Sequence, residues 1–146
     1  MGLFSWLFGK SEDTPRPTES AEHVNLIRGP GKFPLAVVGE SHYQSNLEKI
    51  CGSRKKEGEN NEVRAILIFE DNNPKDSLAV RVDVEGMTFG YLDRETARSF
   101  RESVDRAKLR ESGLPIACNA VIRGGWNRGG GNKGHYGVWL DIPIER

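Results

Sequence analysis

What most limits the fold of this chain is a polar run set between two strand-like segments. Upstream, Val63-Arg64-Ala65-Ile66-Leu67-Ile68-Phe69 is β-branched and apolar; downstream, Ala79-Val80-Arg81-Val82-Asp83-Val84 alternates apolar and polar with a period of two. Both patterns predict strands. The run between them is Glu70-Asp71-Asn72-Asn73-Pro74-Lys75-Asp76-Ser77-Leu78. Asn and Asp side chains bond to backbone groups two residues on, and Asn tolerates positive φ. Pro74 fixes its own φ and pushes Asn73 toward extended geometry. The result is a stiff loop, longer than a two-residue hairpin needs, that gathers acids, amides and a lysine on one ledge. A polar turn that merely exposes its side chains to water is the commoner outcome; a binding ledge is the sharper one.

The rest of the chain supplies the partners for these strands. Residues 1–32 have the composition of a flexible tail and linker, polar and Pro-containing after a short apolar tip of Leu3, Phe4, Trp6, Leu7 and Phe8. The tip is too short for a signal sequence or a membrane span. Residues 33–40 read as the first strand. A short helix then runs from Gln44 or Ser45 to Cys51, closed by Gly52. Residues 54–61 read as a mixed-charge loop. Gly86 marks a hairpin turn before a third strand over 87–92. Asp93 caps a helix whose Ala97, Phe100, Val104 and Ala107 recur at helical spacing, with Gly113 and Pro115 ending it. The bland alternative for its arginines, interleaved with Glu95, Glu102, Asp105 and Glu111, is a salt-bridged outer face. Residues 116–122 and 136–142 form two further strands, paired with each other.

Consecutive strands joined by short turns imply antiparallel pairing. The fold class is mainly β with α (α+β): a small OB-like antiparallel β-barrel with one long and one short helix. The domain occupies residues 33–146.

Charge narrows the function only locally. Lys and Arg number 21 and Asp and Glu 21, a net charge of zero, so an anionic partner must be held by a patch rather than by bulk charge. The Gly-rich loop over 124–135 lacks the pattern of a phosphate-cradling P-loop. It does carry Trp126, Arg128 and Lys133, an aromatic among cations, which is how single strands are held; a plain hairpin tip fits the same residues. Cys51 and Cys118 form no CxxC motif and read as reduced thiols of an intracellular, cytoplasmic protein.

Three blocks in order support a family. Val37-Val38-Gly39-Glu40-Ser41-His42-Tyr43, then residues 70–80, then Gly90-Tyr91-Leu92-Asp93-Arg94-Glu95-Thr96-Ala97 resemble the HIRAN domain over roughly residues 34–142. The resemblance implies an OB-like, non-catalytic module, found in fork-remodelling helicase-like proteins and alone in bacteria and phages. It implies binding of single-stranded DNA at a free 3′-hydroxyl end, in DNA repair or replication-fork processing. Carried over by position, the nucleic-acid-binding residues are His42, Tyr43, Asn72, Asn73, Lys75, Asp76, Tyr91 and Arg94, with Trp126, Arg128 and Lys133 as accessory residues outside the family pattern. Asp76 stands where an Asp accepts from the 3′-hydroxyl. The chain departs from the pattern at Lys75, where a stacking Tyr is usual, and at Ser41, where an Arg contacts phosphate.

Two other classes remain open. A metal-dependent nuclease would draw on Asp71, Asp76, His135 and Asp141, but no spacing among them defines a site, and no Walker motif is present. The expectation is therefore no enzyme activity, no metal and no cofactor. An adaptor would recruit a helicase or nuclease through the apolar tip.

Overall fold

A computed structural model describes residues 24–52 and 54–143. The apolar tip lies outside them. The two strands predicted around the ledge form, as β3 (Glu59–Phe69) and β4 (Val80–Val84), and pair antiparallel with Ile66 opposite Asp83 and Phe69 opposite Val80. A two-residue turn leads to β5 (Met87–Tyr91); Glu85 and Gly86 both take positive φ, 51° and 79°. That is the hairpin geometry that matches strand twist, and glycine enters it without steric cost. The helix α2 (Arg94–Arg106) follows, then β6 (Ile116–Gly124) and β7 (Tyr136–Leu140). Earlier in the chain lie β1 (Asn25–Ile27), β2 (Leu35–Ala36), a 3-10 turn (Glu40–Tyr43) and α1 (Gln44–Cys51), with Gly52 closing α1 as expected.

The seven strands make one sheet in the order β2-β7-β6-β3-β4-β5, with β1 parallel to β6. It curls into a half-barrel, mainly antiparallel, and with the two helices this is a small OB-like α+β fold. The segment around β2 laces the two ends of the strand order together. Leu35 and Ala36 pair with β7, Val37 N–H donates to Val138 O at 2.9 Å, and Val38 pairs with Tyr91 of β5. Inside the curl, Leu67, Val82, Phe89 and Leu140 meet Ala97, Phe100 and Val104 of α2, the apolar stripe that its spacing predicts.

Several boundaries differ from the sequence reading. The linker stops earlier, because β1 lies within residues 1–32. Val24 and Leu26 pack on Ala117 and Ile66, while Ile27 joins the main core. The stretch 33–40 is not one strand and not the first. Phe33 at φ 51° breaks its start, and only Leu35 and Ala36 pair with β7. Residues 59–61, read as loop, extend β3, because Glu59, Asn60 and Asn61 pair with Gly124, Arg123 and Ile122 of a longer β6. The helix ends at Arg106, and a 3-10 turn (Leu109–Ser112) fills the path to Gly113.

Candidate nucleic-acid interface

The three sequence blocks converge on Tyr91. Val38 and Tyr91 exchange backbone hydrogen bonds of 2.8 and 2.9 Å, and Leu92 N–H donates to Val80 O at 3.0 Å. Gly90 makes this approach physically tolerable. Its φ is 150°, and a Cβ there would meet Val37 Cγ1 at 2.5 Å and Val38 O at 2.6 Å. The glycine of the third block is thus the seat of the first. Behind Val38 comes the 3-10 turn that carries His42, exposed, and Tyr43, half-buried.

From Tyr91 a chain of hydrogen bonds runs into the ledge. The Tyr91 hydroxyl donates to Glu70 Oε2 at 3.3 Å, and Arg81 Nη1 donates to the same oxygen at 2.9 Å. Burial, then Glu70, then the neighbouring Tyr43 push the Tyr91 phenol up to about 12, so it keeps its proton at neutral pH. Arg81 also binds both carboxylate oxygens of Asp83. The other Glu70 oxygen accepts from Asn73 Nδ2 at 2.9 Å, and Asn73 Oδ1 accepts from the N–H groups of Lys75 (2.8 Å) and Asp76 (3.2 Å). Asn73 therefore spends both ends of its amide on the shape of the turn. Asn72 and Lys75 are exposed.

Asp76 is held on one side only. Its Oδ1 accepts from Leu78 N–H at 3.0 Å, while Oδ2 faces Arg94 Nε at 3.7 Å and Oδ1 faces Arg98 Nη2 at 4.0 Å. These arginines come from the start of α2, where Asp93 caps Thr96 N–H at 2.9 Å as its sequence position predicts. Their direction corrects the expectation of a salt-bridged outer helix face. Arg94, Arg98 and Arg101 turn to the ledge, not to the helix's own acids. Arg101 is 8% exposed and donates to Leu78 O, Ala79 O and Asp71 Oδ1. Arg110 takes the second Asp71 oxygen at 2.7 Å. The hydrogen bonds from Arg101 and Arg110 hold the Asp71 carboxyl below the ordinary carboxylate range.

Thus Tyr43, Asn73, Asp76, Tyr91 and Arg94 of the predicted residues belong to one connected region, with His42, Asn72 and Lys75 exposed beside its members. Trp126, Arg128 and Lys133 do not join it. Glu59 pairs with Gly124 and Leu67 with Ile116, so the ledge after Phe69 of β3 and the Gly-rich loop after Gly124 of β6 lie at opposite ends of the 11-residue β3, about 35 Å apart along the strand. Nor is the Trp126 ring free. The Arg128 guanidinium lies 5.0 Å from its centroid and the Gly134 backbone packs against it. The sequence reading missed Glu70, Arg98 and Arg101. For the two arginines the signal was present in the spacing of 94, 98 and 101, one helical face, but nothing local said which way that face points.

Two of the acids that a nuclease would use, Asp141 and Asp71, are otherwise engaged. Asp141 accepts from the N–H groups of Gly31, Lys32 and Phe33 at 2.9 to 3.2 Å, and Asp71 is bound to two arginines. Among the described residues no three His, Cys, Asp or Glu side chains are grouped to hold a metal ion, and no helix is long and apolar enough to cross a membrane. Cys51 and Cys118 are free thiols; burial first, then Glu59, pushes Cys51 up to about 11, and burial pushes Cys118 up too. Neither is a reactive thiolate at neutral pH.

A curled antiparallel sheet with a polar ledge, a tyrosine seated on its edge and arginines presented by one helix defines an OB-like binding module. The HIRAN domain family model matches residues 16–120, more than half of the chain, and the chain belongs to that family. HIRAN domains are nucleic-acid-binding modules. No curated protein and no solved structure matches the chain.

Proposed function

We propose that this chain is a non-catalytic module that holds single-stranded DNA at a free 3′-hydroxyl end in DNA repair or replication-fork processing, alongside a helicase or nuclease acting on the same DNA. The observation that carries the reading is the setting of Asp76. Leu78 N–H ties one carboxylate oxygen, while the other faces Arg94 at 3.7 Å, too long for a hydrogen bond. That oxygen has lone pairs to offer a hydroxyl, whereas a phosphate dianion would be repelled. Arg94 and Arg98, with side chains 76% and 49% exposed, are accessible cations for the phosphodiester before the terminal sugar. Tyr91, Tyr43 and His42 offer aromatic surface to the last base. Lys75 gives up the stack that a Tyr would make there, about 1–3 kcal/mol, and offers a phosphate contact instead.

The test is fluorescence anisotropy with one oligonucleotide sequence carrying a 3′-hydroxyl or a 3′-phosphate, and with a circular single strand. The hydroxyl end should bind about tenfold more tightly, the equivalent of about 1.4 kcal/mol. Equal affinity for all three would overturn the reading.

A further inference from the structure

We propose that Arg101 is the positioning residue of the ledge: it fixes the Asp76 carboxylate against the arginines of α2 and thereby sets the discrimination between strand ends. The inference rests on the end-binding reading above.

The guanidinium of Arg101 reaches three separate acceptors. Nε donates to Leu78 O at 2.7 Å, Nη2 to Ala79 O at 3.0 Å and Nη1 to Asp71 Oδ1 at 2.8 Å. The first two acceptors belong to the residues that hold Asp76. Leu78 N–H donates to Asp76 Oδ1 at 3.0 Å, and Ala79 N–H donates to Asp76 O at 3.1 Å. These two clamps on Asp76 are therefore themselves clamped by Arg101, while Asn73 Oδ1 holds the Asp76 N–H independently. The third acceptor ties the other limb of the ledge to the same side chain. Beneath lies Phe69, with the guanidinium carbons of Arg101 and Arg110 each 4.6 Å from its ring centroid, and Phe100 of α2 at 5.9 Å edge-on.

Division of labour along the helix follows from exposure. Arg94, Arg98 and Arg101 share a face at spacings of four and three. Arg101 is buried and engaged by three acceptors, while the other two stay solvent-accessible. Because anchor and exposed cations ride on one helix, the anchor sets the distance from carboxylate to cations before any ligand arrives. Such preorganisation removes an ordering cost at binding. Only a planar fork with several donors can reach these acceptors together; an ammonium keeps the charge but not the geometry.

The test is Arg101→Lys in the full chain. Three quantities are read: the ratio of affinities for 3′-hydroxyl and 3′-phosphate oligonucleotides, the affinity for a circular single strand, and amide hydrogen exchange at Leu78 and Ala79. The ratio should fall from about tenfold to below about twofold, with circular-strand affinity changing less than 3′-hydroxyl affinity and both amides exchanging faster. Adding Arg101→Lys to Asp76→Asn should change the ratio no further, since residues acting through one another are not additive. A folded Arg101→Lys protein that keeps the wild-type ratio overturns the proposal. Should that variant not fold, Asp71→Asn weakens the third anchor at an exposed residue. A partial loss of the ratio is then expected, and an unchanged ratio overturns the proposal equally. If the wild-type chain shows no end preference, the end-binding reading fails instead. Exchange at Leu78 and Ala79 still reports whether Arg101 pins the ledge.

Discussion

Replacing Asp76 by Asn tests the site with little change of shape. The amide keeps an oxygen for Leu78 N–H, now 3.0 Å from Oδ1, so the turn retains its closing bond. What changes is charge. A hydroxyl donating to a carboxylate gains about 1.5–3 kcal/mol, and to a neutral acceptor about 0.5–1.5. The difference, about 1–1.5 kcal/mol, lowers affinity for a 3′-hydroxyl end by about tenfold. A 3′-phosphate should respond oppositely. Removing the carboxylate that faces Arg94 and Arg98 at 3.7 and 4.0 Å lifts a repulsion and releases both cations, so its affinity should hold or rise. The preference for the hydroxyl thus collapses from both sides. Asp76→Ala separates chemistry from folding, because it also loses the Leu78 bond, about 1 kcal/mol, or about 4 °C in Tm for a domain of this size. Anisotropy titrations on both ends, with melting curves on the same preparations, provide the readout. An Asp76→Asn protein that melts earlier yet keeps its discrimination would show that Asp76 only closes the turn, and the reasoning would be wrong.

Arg94→Ala should reduce the log–log salt slope of single-strand binding by about 0.7, one phosphate contact, with Tm unchanged because the side chain is 76% exposed; an unaltered slope would return Arg94 to the plain surface. Gly90→Ala should lower stability by about 1–3 kcal/mol, as overpacking does, since a Cβ there meets Val37 and Val38 O; urea titration measures it, and a neutral result would mean that Val38 yields easily. Asp71 is held below its unfolded pKa of about 4 by Arg101 and Arg110. A depressed carboxyl stabilises the fold above its unfolded pKa and loses that contribution as pH falls through the folded value. Wild type should therefore melt above Asp71→Asn at pH 6, with the gap closing toward pH 2; a constant gap would assign the stabilisation to something other than ionisation.

Local chemistry alone makes much of this protein legible. Asp93 as a cap, Gly52 as a helix stop, Gly86 as a hairpin turn and Ala97, Phe100 and Val104 as the buried stripe of α2 each depend on neighbours a few residues away. So does the ledge, whose Asn73 and Asp76 bonds close within the loop itself. Tertiary structure decided what depends on distant chain. Asn25–Ile27 is a strand because Ile116, Ala117 and Cys118 run beside it, and isolated composition cannot reveal a parallel partner far along the sequence. Val38 meets Tyr91 because Gly90 leaves room. Arg101 turns inward because Leu78 O, Ala79 O and Asp71 wait there, whereas the acids interleaved on its own helix suggested an outer face. The Gly-rich loop departs from the far end of β3 because the strand register puts it there. Turn, cap and periodicity signals are written in short-range sterics and hydrogen bonding, which any local stretch carries with it. Register, burial and the direction of a long side chain follow from contacts that exist only once the sheet has curled.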